Sequence, residues 1–345
     1  MKKLNLLPTQ TISIAMSGGV DSSVVASLLI RSGYHHRLRA IFVKNWMDDS
    51  DVKVKDQGIR CQWKRDWDDV QSVCDHLKLP CQLIDLSKAY WNQVWEPCLK
   101  IWESGGTPNP DVMCNRQIKF GILAEHLLKS DPQTILATGH YARLKHTQEG
   151  TTELHQAFSE TSKDQSYYLS TIPSKILKRC LFPLGENGFN KELVRKIAKE
   201  VRLPNALKNE SMGICLVEPR IKRFEEFLGT QIEGRKGEIV LFDDQKTVVG
   251  EHRGIWNYTI GQRCRINKPN AFPQKLYVAK KDLKLNRVFV VPHHDHPALY
   301  TRKIFTYDFQ WINPPSLSQT SLELSARVRT GTLEPIPCEV NFSNP

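Results

Sequence analysis

The segment Ile12–Met16 is a mostly apolar run that stops at Ser17-Gly18-Gly19 and is followed at once by a second run with helical spacing, Val20–Ile30. A strand delivered through two glycines into a helix constrains the fold more than any other feature of this chain. Paired glycines let the backbone turn tightly and approach a ligand closely. The helix start offers unpaired N–H groups and the positive end of the helix dipole. Ser17, Ser22 and Ser23 add hydroxyls. The predicted object is an anion cradle suited to a nucleotide phosphate. It is not a Walker A loop, which needs G-x-x-x-x-G-K-[ST]. Asp21 at its rim is placed to help hold Mg²⁺ on such phosphates. The same residues also fit a serine-capped βα turn with no ligand.

The pattern continues as strand–helix alternation. Arg39–Val43, Cys81–Leu86 and Thr134–Thr138 read as strands. Trp67–Leu79, Tyr90–Trp102 and Ile118–Leu128 read as helices. This predicts an α/β fold, a parallel sheet with helices on both faces. Lys191–Val201 is the last helix with a clear apolar face. From about Gly237 the chain turns into short apolar runs between Gly, Pro, Asn and Asp, which is all-β texture. The expected division is 1–205 for the nucleotide-binding domain, 206–270 for a central domain, and 271–345 for a β-barrel-like domain. The 48 Lys plus Arg outnumber the 37 Asp plus Glu, a net charge of +11 that favours a polyanionic partner. No stretch approaches the ~20 apolar residues of a membrane span, so no membrane partner is expected.

None of the nine cysteines forms a C-x-x-C pair, so zinc-ribbon and thioredoxin-like readings lack support. Two have informative surroundings. In Thr107-Pro108-Asn109-Pro110-Asp111-Val112-Met113-Cys114-Asn115, two prolines fix the approach to a predicted helix with Cys114 at its start. A helix N-terminus, with Arg116 and Lys119 close in sequence, favours thiolate over thiol. Asp111 is near enough to exchange a proton. An N-cap by Asp111 with Cys114 packed inside accounts for the same residues. Cys215 in Ser211-Met212-Gly213-Ile214-Cys215 lies near the expected domain junction, beside a glycine that permits a tight backbone, and equally suits a buried packing role.

Taken together, the motifs resemble a known family. Ala15–Ser22 (A-M-S-G-G-V-D-S) looks like the signature of the PP-loop, or N-type, ATP pyrophosphatases. Phe42–Trp46 (F-V-K-N-W), Thr107–Asn115 (T-P-N-P-D-V-M-C-N) and Gly139–Arg143 (G-H-Y-A-R) narrow the likeness. Lys163–Leu169 (K-D-Q-S-Y-Y-L), Ser211–Cys215 (S-M-G-I-C), Tyr258–Arg263 (Y-T-I-G-Q-R) and Asp295–Tyr300 (D-H-P-A-L-Y) follow in family order. The branch they resemble is the tRNA-specific 2-thiouridylases.

The resemblance implies an ATP- and Mg²⁺-dependent enzyme that replaces O2 of the wobble uridine, U34, with sulfur in tRNAs for Lys, Glu and Gln. ATP is implied at Ala15, Met16, Ser17, Gly18, Gly19, Val20, Asp21 and Ser22, with the adenine near Val43 and Gly139. Cys215 is implied as the persulfide carrier, Cys114 as the nucleophile with a transient disulfide to Cys215, and Asp111 as general acid/base. Asn109, Pro110 and Asp111 are implied around the flipped-out base. His140, Lys163, Asp164, Gln165, Arg329 and Thr330 are implied on the tRNA. A persulfide donor or relay protein is an implied partner.

The Asp/Trp/Cys content of residues 48–68 and the Asp295–Tyr300 motif are similar to eukaryotic, mitochondrial-type members, which implies a mitochondrial location. The N-terminus offers Lys2 and Lys3 but no arginine, a poor match to an amphipathic transit segment. Cytoplasmic residence is the alternative. Family chains continue past the strand matching Pro337–Val340, so the barrel is expected to be incomplete. A PP-loop ligase acting on a small metabolite, and a tRNA-binding paralogue with impaired catalysis, are the two other readings.

Overall fold

The computed structural model describes residues 9–47, 62–158, 163–186, 188–209, 224–266, 274–306, 309–315, 321–329 and 334–341. The chain divides into two compact units, one of residues 1–91, 111–212 and 310–345, the other of 92–110 and 213–309.

The first unit is built on five parallel strands: β1 (Ile12–Met16), β2 (Leu38–Lys44), β3 (Cys81–Asp85), β4 (Ile135–Ala137) and, completing it later in the chain, Cys180–Leu181. Their order in the sheet places β1 at the centre, β2 then β3 on one side, and β4 then Cys180–Leu181 on the other. Ile14 pairs with Ala40 on one neighbour and Ala137 on the other. Both faces of the sheet are covered, so the strands are apolar on both. Ile12, Ile14, Ala40 and Phe42 pack with α1 (Val20–Leu29) and α2 (Gln62–Leu77). Ile41 and Leu136 point the other way, into a second core with Phe120, Leu123 and Phe182.

The helix predicted from Ile118 begins earlier. It opens as α3 (Pro110–Cys114), passes through the π-helical stretch Asn115–Leu123, and ends as α4 (Ala124–Ser130). Pro110 suits a first helical position because its missing N–H has no partner to lose there. Cys114 is therefore one turn inside the helix, which corrects the expectation that it stands at the helix start. The antiparallel hairpin of β5 (Ala142–His146) and β6 (Thr152–Gln156) follows β4, and Cys180–Leu181 is β7. Helix α5 (Lys191–Glu200) buries Val194, Ile197 and Ala198 in the α1 core.

In the second unit, α6 (Phe224–Gln231) precedes β8 (Gly237–Leu241), β9 (Val248–His252), β10 (Arg263–Cys264), β11 (Leu276–Asp282) and β12 (Arg287–Val291). They form one sheet in the order β10-β11-β12-β8-β9, with only the β12–β8 pairing parallel. Register shifts at Val278/Lys280 and Ile239/Val240 add the local bend of a β-bulge. Ile239, Val249, Leu276, Val278, Val288 and Val290 make its core. The expected boundary at residue 270 is corrected: strands on either side of it are hydrogen-bonded into this one sheet, so the barrel-type element spans 237–291 and does not begin at 271. In residues 310–345, the described strands are the hairpin β13 (Ser321–Ala326) and β14 (Ile336–Asn341), counted with the first unit. Among the described residues, no helix is long and apolar enough to cross a membrane.

Candidate active site

The chain leaves β1 to build β2 and β3 on one side and returns to build β4 and β7 on the other. The carboxyl ends of β1 and β4 therefore flank the point where the strand order reverses, the position where open α/β sheets bind ligands. The loop Ser17–Gly19 leaves β1 there, and Gly139 and His140 follow β4.

Gly18 has φ +75°, and a Cβ on it would come 2.6 Å from the Asp66 carbonyl oxygen. Both the left-handed backbone and the close approach of α2 demand glycine. Gly19 precedes α1 in extended conformation, and no side chain caps the helix. The Ser22 and Ser23 hydroxyls turn inward onto the Gly19 carbonyl at 3.1 and 3.0 Å, and Ser22 Oγ also accepts from the Ser17 N–H at 3.3 Å. These serines brace the loop. Asn205 donates to the Gly18 carbonyl at 2.9 Å and to Ser23 Oγ at 3.0 Å. Lys208 donates to the same carbonyl at 3.2 Å while paired with Asp66 at 2.7 Å and Asp69 at 2.5 Å. Burial alone would lower the Lys208 pKa, but its hydrogen bonds to the two carboxylates outweigh that and raise it.

Gly139 touches the same helix start. A Cβ there would lie 3.0 Å from the Ser22 nitrogen and 3.2 Å from Asp21 Cβ. The expected Ala15–Ser22 and Gly139 set is thus brought together; Val43 is half-buried near the carboxyl end of β2. Asp21 is occupied by protein groups: Tyr141 Oη donates to Oδ1 at 3.1 Å and Lys191 Nζ to Oδ2 at 2.6 Å. A carboxylate suits a hard cation carried on phosphates, and Asp21 is the side chain that would hold it.

Asp111 and Cys114 sit three residues apart on α3, on neighbouring positions of one face. Cys114 is buried, 5% exposed. Burial pushes its thiol up; Lys119 offsets part of that and Asp111 adds to it. This runs against the expected preference for thiolate: burial of the thiol outweighs the charge of Lys119, and an interior helix position offers no unpaired N–H groups to favour the anion. The Asp111 carboxyl is itself raised by its surroundings and lowered in part by Lys119, although the residue keeps substantial solvent exposure. A raised carboxyl is a stronger base than an ordinary aspartate, which suits proton exchange with a thiol. Lys119 also acts on His140, whose pKa is lowered well below 6.5, first by burial and then by that charge. One cation thus tunes three titratable groups.

The remaining expected residues have internal partners. His140 is bonded to Thr138 Oγ1 at 2.7 Å and packed against Phe120 and Phe182. Asp164 accepts from the Ala157 N–H, from Ser166 and from Arg327 at 3.1 Å; Gln165 Oε1 accepts from the Tyr141 N–H at 3.0 Å. These contacts tie the three side chains to the protein's own groups, which the expectation of tRNA contact did not include. Lys163, Asn109 and Pro110 lie at described positions, and Arg329 is exposed after β13. Cys215 and Thr330 lie outside the described residues, as does most of the 48–68 segment.

Tyr141, Lys191, Asn205 and Lys208 were missed by sequence reasoning. Tyr141 lies inside the quoted G-H-Y-A-R motif, but no local pattern says that its hydroxyl reaches Asp21. The other three are 170 or more residues from the loop they serve.

Residues 10–219 match the family described as tRNA methyl transferase HUP domain, and residues 225–292 that described as tRNA methyl transferase PRC-barrel domain. The tRNA-specific 2-thiouridylase MnmA of Cupriavidus pinatubonensis is 39% identical over 337 residues, 96% of this chain and 88% of that protein. The protein of the same name from Chlamydia pneumoniae is 38% identical over 335 residues, 97% of this chain and 87% of its own length. Among solved structures, the U34-tRNA thiolase NcsA from Methanococcus maripaludis aligns with a TM-score of 0.37 and 16% identity, over 66% of this chain and 65% of that one, too distant to bear on function. With relatives of this identity along almost its whole length, the chain belongs to the tRNA-specific 2-thiouridylase family.

Proposed function

We propose that this protein is a tRNA-uridine 2-sulfurtransferase, using ATP to replace O2 of the wobble uridine with sulfur. The observation that carries the reading is the phosphate cradle at the sheet's reversal point in a chain whose named 2-thiouridylase relatives match almost end to end.

The chemistry explains why both a nucleotide and thiols are needed. A carbonyl oxygen leaves poorly. Attack of uridine O2 on the α-phosphate of ATP forms the O2–P bond, breaks the bond to pyrophosphate, and turns that oxygen into part of a good leaving group, AMP. The terminal sulfur of a persulfide on Cys215 then attacks C2 and AMP departs. Cys114, deprotonated with the help of Asp111, attacks Cys215 Sγ. The S–S bond breaks, its electron pair goes to the sulfur now on C2, and a Cys114–Cys215 disulfide is left for a thiol reductant to reopen. The raised Cys114 thiol stays protonated until a base takes its proton, and Asp111 is the carboxylate adjacent to it on the helix. Mg²⁺, carried in on the nucleotide, would neutralise phosphate charge at Asp21.

The proposal extends to tRNAs for Lys, Glu and Gln as substrates, to a persulfide donor or relay protein, and to tRNA contacts by Asn109, Pro110, Asp111, His140, Lys163, Asp164, Gln165, Arg329 and Thr330. The eukaryotic, mitochondrial-type likeness of residues 48–68 makes mitochondrial residence part of it, although the two relatives named above are bacterial. Imaging of the tagged chain in its own cells tests that part.

The deciding experiment incubates the protein with tRNA, Mg·ATP and a persulfide donor, then analyses nucleoside 34 by mass. Sulfur in place of oxygen is expected; an added methylene would instead indicate methyl transfer. Cys114→Ser and Cys215→Ser are each expected to abolish thiolation while ATP still binds. Thiolated tRNA from either variant would sink the two-cysteine scheme.

A further inference from the structure

Between α3 and α4 the helix widens. Asn115–Leu123, nine residues, follows an i→i+5 repeat that starts from Cys114. The π-helix is rare, is seen mostly as single turns, and where it occurs it is frequently at a functional site.

The widening changes which side chains are neighbours. Lys119 stands five residues after Cys114. In an α-helix that spacing leaves two side chains about 140° apart around the axis. An i→i+5 repeat stacks them one above the other, and helical side chains lean toward the preceding turn. Lys119 therefore shares the face of Cys114 and of Asp111, three residues earlier on α3. Arg116, two residues from Cys114, lies on another side. The charge of Lys119 acts on the Cys114 thiol, on the Asp111 carboxyl and on His140 after β4. The segments Ser87–Tyr90 and Ser166–Leu169 pack on the same stretch. They carry Lys88, Tyr90, Tyr167 and Tyr168, and the charges that act on the thiol are those of Lys119 and Asp111.

Two fixtures hold the wide turn. Gly121 stands five residues after Arg116, and a Cβ on it would come 2.7 Å from the Arg116 carbonyl oxygen. That atom is backbone and cannot swing aside, so glycine is required here for space. Asn115, itself buried, donates from Nδ2 to the Tyr168 carbonyl at 3.2 Å and pins the first turn.

We propose that this π-helical stretch is a positioning device for sulfur transfer: Gly121 permits the wide turn, the turn sets Lys119 on Cys114, and the ammonium stabilises the thiolate that attacks the persulfide. Gly121 and Lys119 are positioning residues that act through Cys114. The proposal deepens the sulfurtransferase reading and rests on it.

Two rates are measured on the full chain: alkylation of Cys114 by iodoacetamide near neutral pH, followed by peptide mapping, and single-turnover thiolation of nucleoside 34. Lys119→Met is expected to slow alkylation about tenfold, the effect of one nearby charge on a thiolate population. Lys119→Arg is expected to restore most of it. Gly121→Ala is expected to slow alkylation comparably, and Lys119→Met/Gly121→Ala to be no slower than Lys119→Met within about twofold, because both changes remove one interaction. Wild-type alkylation of Gly121→Ala, or losses that multiply in the double variant, would overturn the proposal. Should Gly121→Ala not fold, Lys119→Met/Gln117→Lys decides. It moves the cation to the position that faces Cys114 only in an α-helix. It is expected to stay as slow as Lys119→Met, and recovery to the wild-type rate would overturn the wide-turn geometry. Thiolation is expected to slow in proportion to alkylation, and wild-type thiolation by Lys119→Met would overturn the catalytic use of the pair. No thiolation by the wild-type chain would remove the sulfurtransferase reading and the catalytic use together, with the alkylation rates still deciding the helix geometry.

Discussion

A residue's neighbours can act on its proton and on the reaction in opposite directions, and Asp111 shows how. Its charge raises the Cys114 thiol, so Asp111→Asn lowers that pKa and is expected to speed alkylation of Cys114 by iodoacetamide near neutral pH. The same change removes the proton acceptor, and sulfur transfer is expected to fall by about a hundredfold or more. Peptide mapping after timed alkylation, run beside nucleoside analysis, measures both. Slower alkylation in Asp111→Asn would show that the aspartate helps the thiolate form at rest. Lys119→Met is expected to shift the alkylation profile to higher pH, because this lysine is the charge that offsets burial. Sequence spacing made Asp111, Cys114 and Lys119 visible as neighbours. It did not reveal that α3 starts at Pro110, so it placed the thiol at the helix end and read its protonation backwards. Burial is a property of the surrounding core, and no local motif records it.

At the scale of elements, the phosphate loop is a joint between β1, α1, α2 and the turn after α5. Gly18 bears the tightest constraint. Gly18→Ala would place a methyl 2.6 Å from the Asp66 carbonyl oxygen at a positive φ that costs an L-residue about 1–2 kcal/mol before the clash is counted. A lowered melting temperature and loss of nucleotide binding are expected together; normal binding by this variant would mean that the loop does not need its observed shape. Asn205→Ala acts from the far side by removing two donors, to the Gly18 carbonyl and to Ser23, an effect of about 1–3 kcal/mol. Because Lys208 still reaches Gly18, nucleotide affinity is expected to fall further in the Asn205→Ala/Lys208→Met pair than in either variant alone, read by calorimetric titration with ATP. The loop was legible in sequence because its glycines and serines are contiguous. Asn205 was read only as the end of a domain, since nothing within ten residues of it shows what its amide bonds to. The β5–β6 hairpin also escaped the sequence reading because its strands are largely polar, and β7 because two residues are too few for a periodicity to emerge.

Across the whole molecule, the parallel sheet was legible because a doubly covered sheet needs continuous apolar strands, and Ile12–Met16 and Leu38–Lys44 supply them. The second unit's texture was read correctly as β, but a boundary was drawn at residue 270 through a sheet whose β8–β12 pairing joins residues about 50 apart, a non-local contact that no window on the sequence contains. Each unit also carries a histidine held neutral, and this fixes how stability responds to acid. In the second unit, His252 Nε2 lies 3.2 Å from the Asn286 carbonyl, which can only accept, so Nε2 carries the hydrogen and Nδ1 is buried with no partner among the described residues. Burial lowers the pKa below 6.5, and the bond to Asn286 opposes this only in part. In the first unit, His140 is lowered further by burial and Lys119. Above pH 6.5 neither the folded nor the unfolded chain binds these protons, and stability is unaffected. As pH falls through 6.5 the unfolded chain takes them up and the folded chain does not, so stability declines until the lower folded-state values are reached. The carboxylates act in a separate window. Asp85 and Asp131 are lowered below 3.8 in the folded state, so their stabilisation is complete above that value and is lost only as pH falls through their folded values. Between about pH 6.5 and pH 4 the two histidines therefore lower stability, and Asp111, raised in the folded state, opposes them in the lower part of that range. Urea midpoints measured down this range are expected to fall for the wild-type chain and to fall less steeply for His252→Gln, followed by a probe in the β8–β12 sheet. An identical slope in the variant would show that His252 takes up its proton as readily in the fold as in the unfolded chain, contrary to its buried Nδ1.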